Sequence, residues 1–389
     1  MDALSPNPLH EVHRQAEADF QPYGDIDIVS TYGQPQAEYA ALARTCGLFD
    51  QPHRAILSLT GTDRLDFLNR ILTNQTWDKQ TKSGLAAGEG CYAFLLTANG
   101  RIVTDLNVLE RGDSTLLEME FRQLATVQSF LQKYIFTEKV RLESKIGQWH
   151  QIALHGPGAA KVIGDWSDNA TDLTSLPQLG SLATTVRGIA VTCWRDDVTG
   201  APGYHMIIPA DSARVVWMEL ISRFGPTLAT GSDEQPRRPA LRPVGWAVFN
   251  ARRIEAGRPL FGIDFDETVL PAETGLLDRA VSFAKGCYLG QEIVARMHAR
   301  GQLARKIAGF RMSDDALPVA GTGVLDADKN PIGTVTSSTI SPVLSNASIG
   351  LAMLKRPSFE IGSKIAIPAE GAIRQATVVH IPFLENTPP

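Results

Sequence analysis

From about Leu303 onward every apolar run in the chain is short and is cut off by turn residues. The runs are Lys306 to Met312, Gly323 to Asp326, Ile332 to Ser337, Ala347 to Leu354, Lys364 to Ile367 and Ala376 to Ile381. None is spaced like a helix. Short strands in such a series bury a core only by closing on themselves or by stacking as two sheets, so the region reads as a small barrel or sandwich. The residues before it alternate between helical and strand patterns, which sets a boundary near Gly301. A chain of 389 residues is long enough for two or three such domains.

The stretch ahead of that boundary reads as mixed α and β. Pro6, Pro8, Pro22 and Pro35 make the first 40 residues look irregular. A short helix follows, ending at Gly47, where glycine suits a left-handed cap. Ala55 to Leu59 reads as a strand. Leu65, Leu68, Ile71 and Leu72 share one helical face. A hairpin is the sharpest local signal: Cys91 to Thr97, the turn pair Asn99-Gly100, then Arg101 to Leu109. Alternation places Asp105 on the polar face of the return strand. Further on, Gln151 to Leu154, Val191 to Arg195 and Tyr204 to Ile208 read as strands, and residues 226–243 as a loop.

Composition removes several classes of function. Lys and Arg number 37 against 42 for Asp and Glu, a net charge of −5, so a nucleic-acid coating protein is not expected. Cys46, Cys91, Cys193 and Cys287 are widely spaced and form no CxxC, which argues against a zinc ribbon or a disulfide scaffold. No apolar leader and no run of about 20 apolar residues is visible. The expectation is a cytoplasmic protein with no membrane segment.

The most unusual segment is Lys285-Gly-Cys-Tyr-Leu-Gly-Gln-Glu292, which leads into a helix beginning near Gly290. Glycines before a helix let backbone approach a partner closely, and the free N–H groups there favour an anion. Cys287 stands beside this end with Lys285 two residues away, a setting that raises the thiolate fraction. The alternative is a buried, inert cysteine, since free Cys is among the most buried residue types. Residues 293–313 carry Arg296, Arg300, Arg305, Lys306 and Arg311 and no acid until beyond Met312. They read either as a solvated helix face or as a landing strip for a polyanionic tail. Asp105 is either solvent-facing or a cavity carboxylate able to bind or deprotonate an amine.

The 285–292 segment resembles the KGCYxGQE signature of the YgfZ family, which acts in iron–sulfur protein maintenance and is related to the glycine cleavage T-protein, an aminomethyltransferase. Superfamily landmarks run through most of the chain: Cys46-Gly-Leu-Phe-Asp50, Gly61-Thr-Asp-Arg64, Leu154-His-Gly-Pro157, Arg253-Ile-Glu-Ala-Gly257, Leu270-Pro-Ala-Glu273 and Gly333-Thr-Val-Thr336. The resemblance implies an α+β fold, with a three-lobed folate-binding core over residues 1–302 and a β-barrel over 303–389. It implies tetrahydrofolate or a one-carbon derivative as cofactor, and iron–sulfur client or assembly proteins as partners. Cys287 and Asp105 take the catalytic roles. Asp105, His205, Lys285, Tyr288, Gln291, Glu292, Arg296 and Arg300 take the folate-binding ones. Two positions depart from the T-protein pattern: His205 stands where a pterin-gripping glutamate is expected, and Phe249 replaces an arginine. The second reading is a tetrahydrofolate-dependent aminomethyltransferase, with Asp105 as acid–base group and Cys287 merely structural.

Overall fold

The six apolar runs after residue 303 close into a barrel. Its strands follow the order Arg305–Met312, Ala347–Lys355, Pro331–Ser341, Gly323–Leu325, Lys364–Ala369 and Ala372–Val379. The last pairs back onto the first, from Gly309↔Val379 to Met312↔Ala376, so no open edge remains. Phe310, Val324, Val335, Leu354, Ile365, Ile367 and Val378 fill the interior. These are inward positions of a period-2 pattern, which is why the sequence exposed them. The computed structural model describes residues 7–169, 172–226 and 240–384, with Arg300 described by its backbone alone.

The described residues form two compact units. One holds the chain up to Arg64, Leu85–Gly90 and Asn107–Phe249; the other holds Leu65–Gly84, Cys91–Leu106 and the chain from Asn250 onward, barrel included. The first unit is built on a six-stranded sheet ordered Ser181–Val186, Ile189–Arg195, Gly203–Pro209, Trp149–His155, Gly47–Asp50 and Arg242–Val244. One face packs Leu48, Ile152, Leu154, Met206 and Ile208 with Val162, Trp166, Val216, Trp217 and Leu220 from the helices Ala159–Trp166 and Ala213–Phe224. The pleat sends Phe49, Ala153, Trp194 and His205 to the opposite face.

The expected hairpin forms between Gly90–Leu96 and Ile102–Glu110, with Gly100 at φ +71° in its turn, and its stretch Cys91–Leu106 falls in the second unit. Two of the landmarks of the second half, around Arg253 and Thr336, also meet there. Arg253, fully buried, pairs with Asp264 and donates to Ser337 of the barrel, and Asp264 accepts from Thr336 as well. The α+β class with a C-terminal barrel is therefore the observed fold.

Three local expectations fail. Residues 7–40 hold regular elements: a helix at His10–Gln15 and a ribbon of Asp19–Tyr23 with Ile26–Thr31; residues 1–6, Pro6 among them, lie outside the described residues. Pro22 lies within the strand Asp19–Tyr23, and Pro35 opens the helix Pro35–Arg44, where a missing N–H costs nothing. That helix ends at Arg44, and Gly47 begins a strand. A Cβ at Gly47 would lie 2.5 Å from Leu42 Cδ2, so close packing is what calls for glycine there. Of the loop read at 226–243, residues 227–239 lie outside the described residues, and Arg242–Val244 is a strand. Among the described residues no helix is long and apolar enough to cross a membrane.

Candidate functional site

Asp105 lies inside the second unit and is 9% exposed, so the solvent-facing alternative is excluded. Its strand is buried along nearly its whole length, including Thr104, Leu106 and Asn107. The Tyr92 hydroxyl donates to Asp105 Oδ2 at 2.9 Å. Burial pushes the Tyr92 phenol well above its ordinary range, and the neighbouring carboxylate pushes it further, so it stays a donor. Phe94 meets the Tyr92 ring edge-on at 5.6 Å, and the Arg279 guanidinium stands 5.0 Å over it. Asn74 Nδ2 donates to the carbonyls of both Tyr92 and Arg279, at 2.9 and 3.0 Å. Neither Tyr92 nor Asn74 was picked out from the sequence. For Tyr92 the signal was the hairpin, which lays its strand alongside Asp105. For Asn74 there was none.

The 285–292 segment does something other than expected. The Lys285 side chain is buried, and its Nζ donates to the carbonyls of Asn69 and Leu72 at 2.6 Å and of Asn74 at 2.9 Å. These acceptors lie at and just beyond the end of the helix Arg64–Ile71, where carbonyls lack helical partners and the dipole favours a cation. Burial pulls the Lys285 amine down to about 7. Its charge is spent on backbone oxygens instead of the Cys287 thiol, which corrects the expected pairing of the two. Cys287 is exposed, not packed away. Tyr288 is buried with its ring 4.9 Å from Lys285 Nζ, and burial moves its phenol up to about 12. Gln291 Oε1 accepts from the Tyr288 N–H at 3.4 Å.

Gly290 opens the helix Gln291–Arg300 at φ +81°, as the sequence suggested. A Cβ on it would fall 2.7 Å from Thr97 O and 3.2 Å from Gly100 Cα. The backbone that the glycine approaches is the chain's own hairpin turn. Glu292 and Arg296 are exposed on this helix, and Arg300 occupies its last position. His298 stacks on the half-exposed Phe283 at 4.0 Å.

His205 belongs to the first unit. Its Nδ1 donates to Gln51 Oε1 at 2.9 Å, its ring stacks on Trp194 at 4.2 Å, and His155 meets it edge-on at 5.3 Å. Burial pushes the pKa of His205 down, so the imidazole is neutral. Phe249 stacks on Phe49 at 4.6 Å. Close by in the sheets, Glu118 is gripped by both nitrogens of Arg54 at 2.5 and 2.6 Å and by Asn107 at 2.8 Å. Burial pushes the Glu118 carboxyl up, but Arg54 outweighs it and holds it low. The structure thus gathers Asp105 and Lys285 into one unit and puts His205 in an aromatic stack of the other. A cleft of about 610 Å³ in the first unit, lined by His10, Lys145, Trp149 and His150 among others, includes none of the expected site residues. Among the described residues no cluster of His, Cys, Asp and Glu could hold a metal ion.

Known proteins match this chain along nearly its whole length. The GCVT N-terminal domain matches residues 9–285 and the glycine cleavage T-protein C-terminal barrel domain matches residues 305–385. An aminomethyltransferase of Caldanaerobacter subterraneus subsp. tengcongensis is 27% identical over 389 residues, spanning 99% of this chain and 97% of the relative. One from Moorella thermoacetica is 28% identical over 384 residues, 98% of each. The glycine cleavage system aminomethyltransferase T from Bartonella henselae has the same fold, with a TM-score of 0.84 at 21% identity over 98% of this chain and 99% of that one. These relatives overturn the YgfZ reading, and the iron–sulfur partners go with it, because the similarity runs end to end with proteins named as aminomethyltransferases. With its N-terminal domain and its barrel both matched, the chain belongs to the GCVT family.

Proposed function

We propose that this protein is a tetrahydrofolate-dependent aminomethyltransferase with Asp105 as its acid–base group. The observation that carries the reading is a buried carboxylate, held by the Tyr92 hydroxyl at 2.9 Å, in a chain whose relatives are named for this transfer. Tetrahydrofolate is consistent with that family. The donor chemistry also fits: a carboxylate only accepts hydrogen bonds, and the amino edge of a reduced pterin offers N–H donors. When bound, the folate supplies the amine that receives the one-carbon unit.

Asp105 attracts the cationic nitrogen of an aminomethyl group and takes up the proton released from the accepting amine. Tyr92 keeps the carboxylate in one orientation and, staying protonated, does not compete for that proton. His205 and Phe249 offer no charge to a pterin, so the grip falls on Asp105. Arg296 and Arg300 attract the anionic glutamate tail from the helix Gln291–Arg300. Glu292, Tyr288 and Gln291 shape the start of that helix, and Cys287 takes no chemical part. Residues 1–302 make up the folate-binding domain and 303–389 the barrel domain, a division supported by the two matched stretches ending at 285 and beginning at 305.

Turnover of the purified protein with an aminomethylated lipoyl carrier and tetrahydrofolate tests this. Asp105→Asn should lower kcat by about 10²–10⁴-fold, while Cys287→Ala keeps it. Loss of turnover in Cys287→Ala with retention in Asp105→Asn would reverse the assignment.

A further inference from the structure

We infer that Lys285 is a positioning residue for Asp105, acting through Asn74 and Tyr92; the inference rests on the aminomethyltransferase reading for its consequence in catalysis. Three hydrogen-bonded steps join the two, with a side branch to Arg279, all inside the second unit. Lys285 Nζ donates to the Asn74 carbonyl at 2.9 Å. The Asn74 amide then donates to the Tyr92 carbonyl at 2.9 Å and to the Arg279 carbonyl at 3.0 Å. The Tyr92 hydroxyl donates to Asp105 at 2.9 Å. Arg279, held by the same amide, places its guanidinium over the Tyr92 ring.

Each link has one arrangement. Three carbonyls surround Lys285 Nζ and use all three donors that an ammonium has. The Asn74 Oδ1 accepts from the Gln75 N–H at 2.8 Å, which fixes which end of the amide carries the hydrogens. Thr73, one residue earlier, exchanges bonds with Phe94 through its N–H and its hydroxyl, and donates to the Ala280 carbonyl at 2.6 Å. The short loop after the helix Arg64–Ile71 is therefore stitched to the hairpin strand on one side and to the 279–280 segment on the other. Lys285 is the pin that holds the loop's carbonyls. Without it the loop loses its reason to sit where Asn74 can hold Tyr92. A displacement of about 1 Å at a reacting group costs on the order of 10²-fold in rate, so a buried lysine far from substrate has leverage on turnover.

The experiment reads Asp105 directly. Its carboxyl carbon is followed by ¹³C NMR in a pH titration of the full chain, assigned by its disappearance in Asp105→Asn. No substrate is needed. Tyr92→Phe removes a hydrogen bond to the ionised form and should move the Asp105 titration upward by about one pH unit. Asn74→Ala and Lys285→Met should each move it in the same direction, and Lys285→Met combined with Tyr92→Phe should add nothing further. In the carrier assay, kcat should fall roughly 10–100-fold in Asn74→Ala with KM within about threefold. Asn74→Ala serves where Lys285→Met fails to fold. An Asp105 titration unmoved in Asn74→Ala, or fully additive shifts in the double variant, overturns the inference. Coupled shifts in a wild-type protein without turnover would leave the positioning intact and refute the aminomethyltransferase reading instead.

Discussion

Asp105 and His205 occupy comparable places, mid-sheet and nearly sealed from solvent at 9% and 5% exposure, yet their surroundings have opposite character. Around Asp105 the neighbours are donors and a cation: the Tyr92 hydroxyl, with Arg279 behind the ring. Around His205 they are rings: Trp194 stacked, His155 edge-on, with Phe49 and Phe249 stacked nearby. A carboxylate survives burial only where something repays its lost hydration. An imidazole survives by giving up its proton, as His205 does. The first environment offers a carboxylate a donor and a nearby cation, and the second holds an imidazole neutral. That contrast supports the proposed role of Asp105 in chemistry and of His205 in packing.

The largest effect that follows is on turnover. Asp105→Asn should cost 10²–10⁴-fold in kcat, whereas His205→Gln should leave kcat within about tenfold and lower stability by about 1–2 kcal/mol through the lost stack. Steady-state kinetics beside urea unfolding separates the two. If His205→Gln abolished turnover as fully as Asp105→Asn, the contrast between the two environments would not hold.

The sequence exposed the barrel completely and the site only in part, for a physical reason. Barrel residues such as Phe310, Val335 and Ile367 follow a local period that survives without neighbours. The hairpin around Asn99-Gly100 is equally local. The surroundings of Asp105 are local only in part: the hairpin brings Tyr92 from 13 positions away, but Arg279 reaches the same ring from 187 positions beyond Tyr92. The 285–292 segment was legible as unusual, but its chemistry was misassigned. Lys285 and Gly290 look like anion-site residues in isolation, and only the fold shows that helix-end carbonyls and a hairpin turn are their partners.

Stability should divide the 285–292 segment just as sharply. Lys285→Met leaves three buried carbonyls without donors, which should cost about 2–4 kcal/mol, read as a lower urea midpoint at unchanged slope. Cys287→Ala, at an exposed position, should stay within about 0.5 kcal/mol. Equal losses in both variants would mean that Lys285 is not the clamp described.

A smaller effect tests the first unit through pH. His53 packs against Tyr23 and Trp246, and burial pulls its pKa down to about 3 from 6.5. The unfolded chain therefore binds a proton that the folded one refuses. His53 contributes full stability above 6.5 and loses it as pH falls toward 3. At pH 5 the loss from His53 alone is about 2 kcal/mol. Asp50 does not confuse this window. Burial pushes its carboxyl up, but His150 and His13 at 2.7 and 2.9 Å outweigh that and hold it low, so its contribution fades only below about pH 4. Urea unfolding at pH 7 and pH 5 should show the drop, and His53→Gln should shrink it by about 2 kcal/mol, leaving the part that comes from His155 and His205, whose pKa values burial also pulls down. A drop of the same size in His53→Gln and wild type would mean that His53 is not held neutral.

The smallest effect concerns the tail of the folate. Arg296 is exposed on the helix Gln291–Arg300, so its attraction for an anionic chain is screened by water and salt. An exposed charge pair contributes about 0.2–1 kcal/mol, which corresponds to roughly 1.5–5-fold in affinity. Arg296→Glu should therefore raise the KM for a polyglutamylated tetrahydrofolate a few-fold at low ionic strength and leave kcat alone. It should hardly affect the monoglutamate, whose tail is shorter and less charged. At molar salt, where the screening length falls to about 3 Å, the difference between variant and wild type should vanish. A KM that ignores both the charge reversal and the salt would take this helix out of the ligand's path.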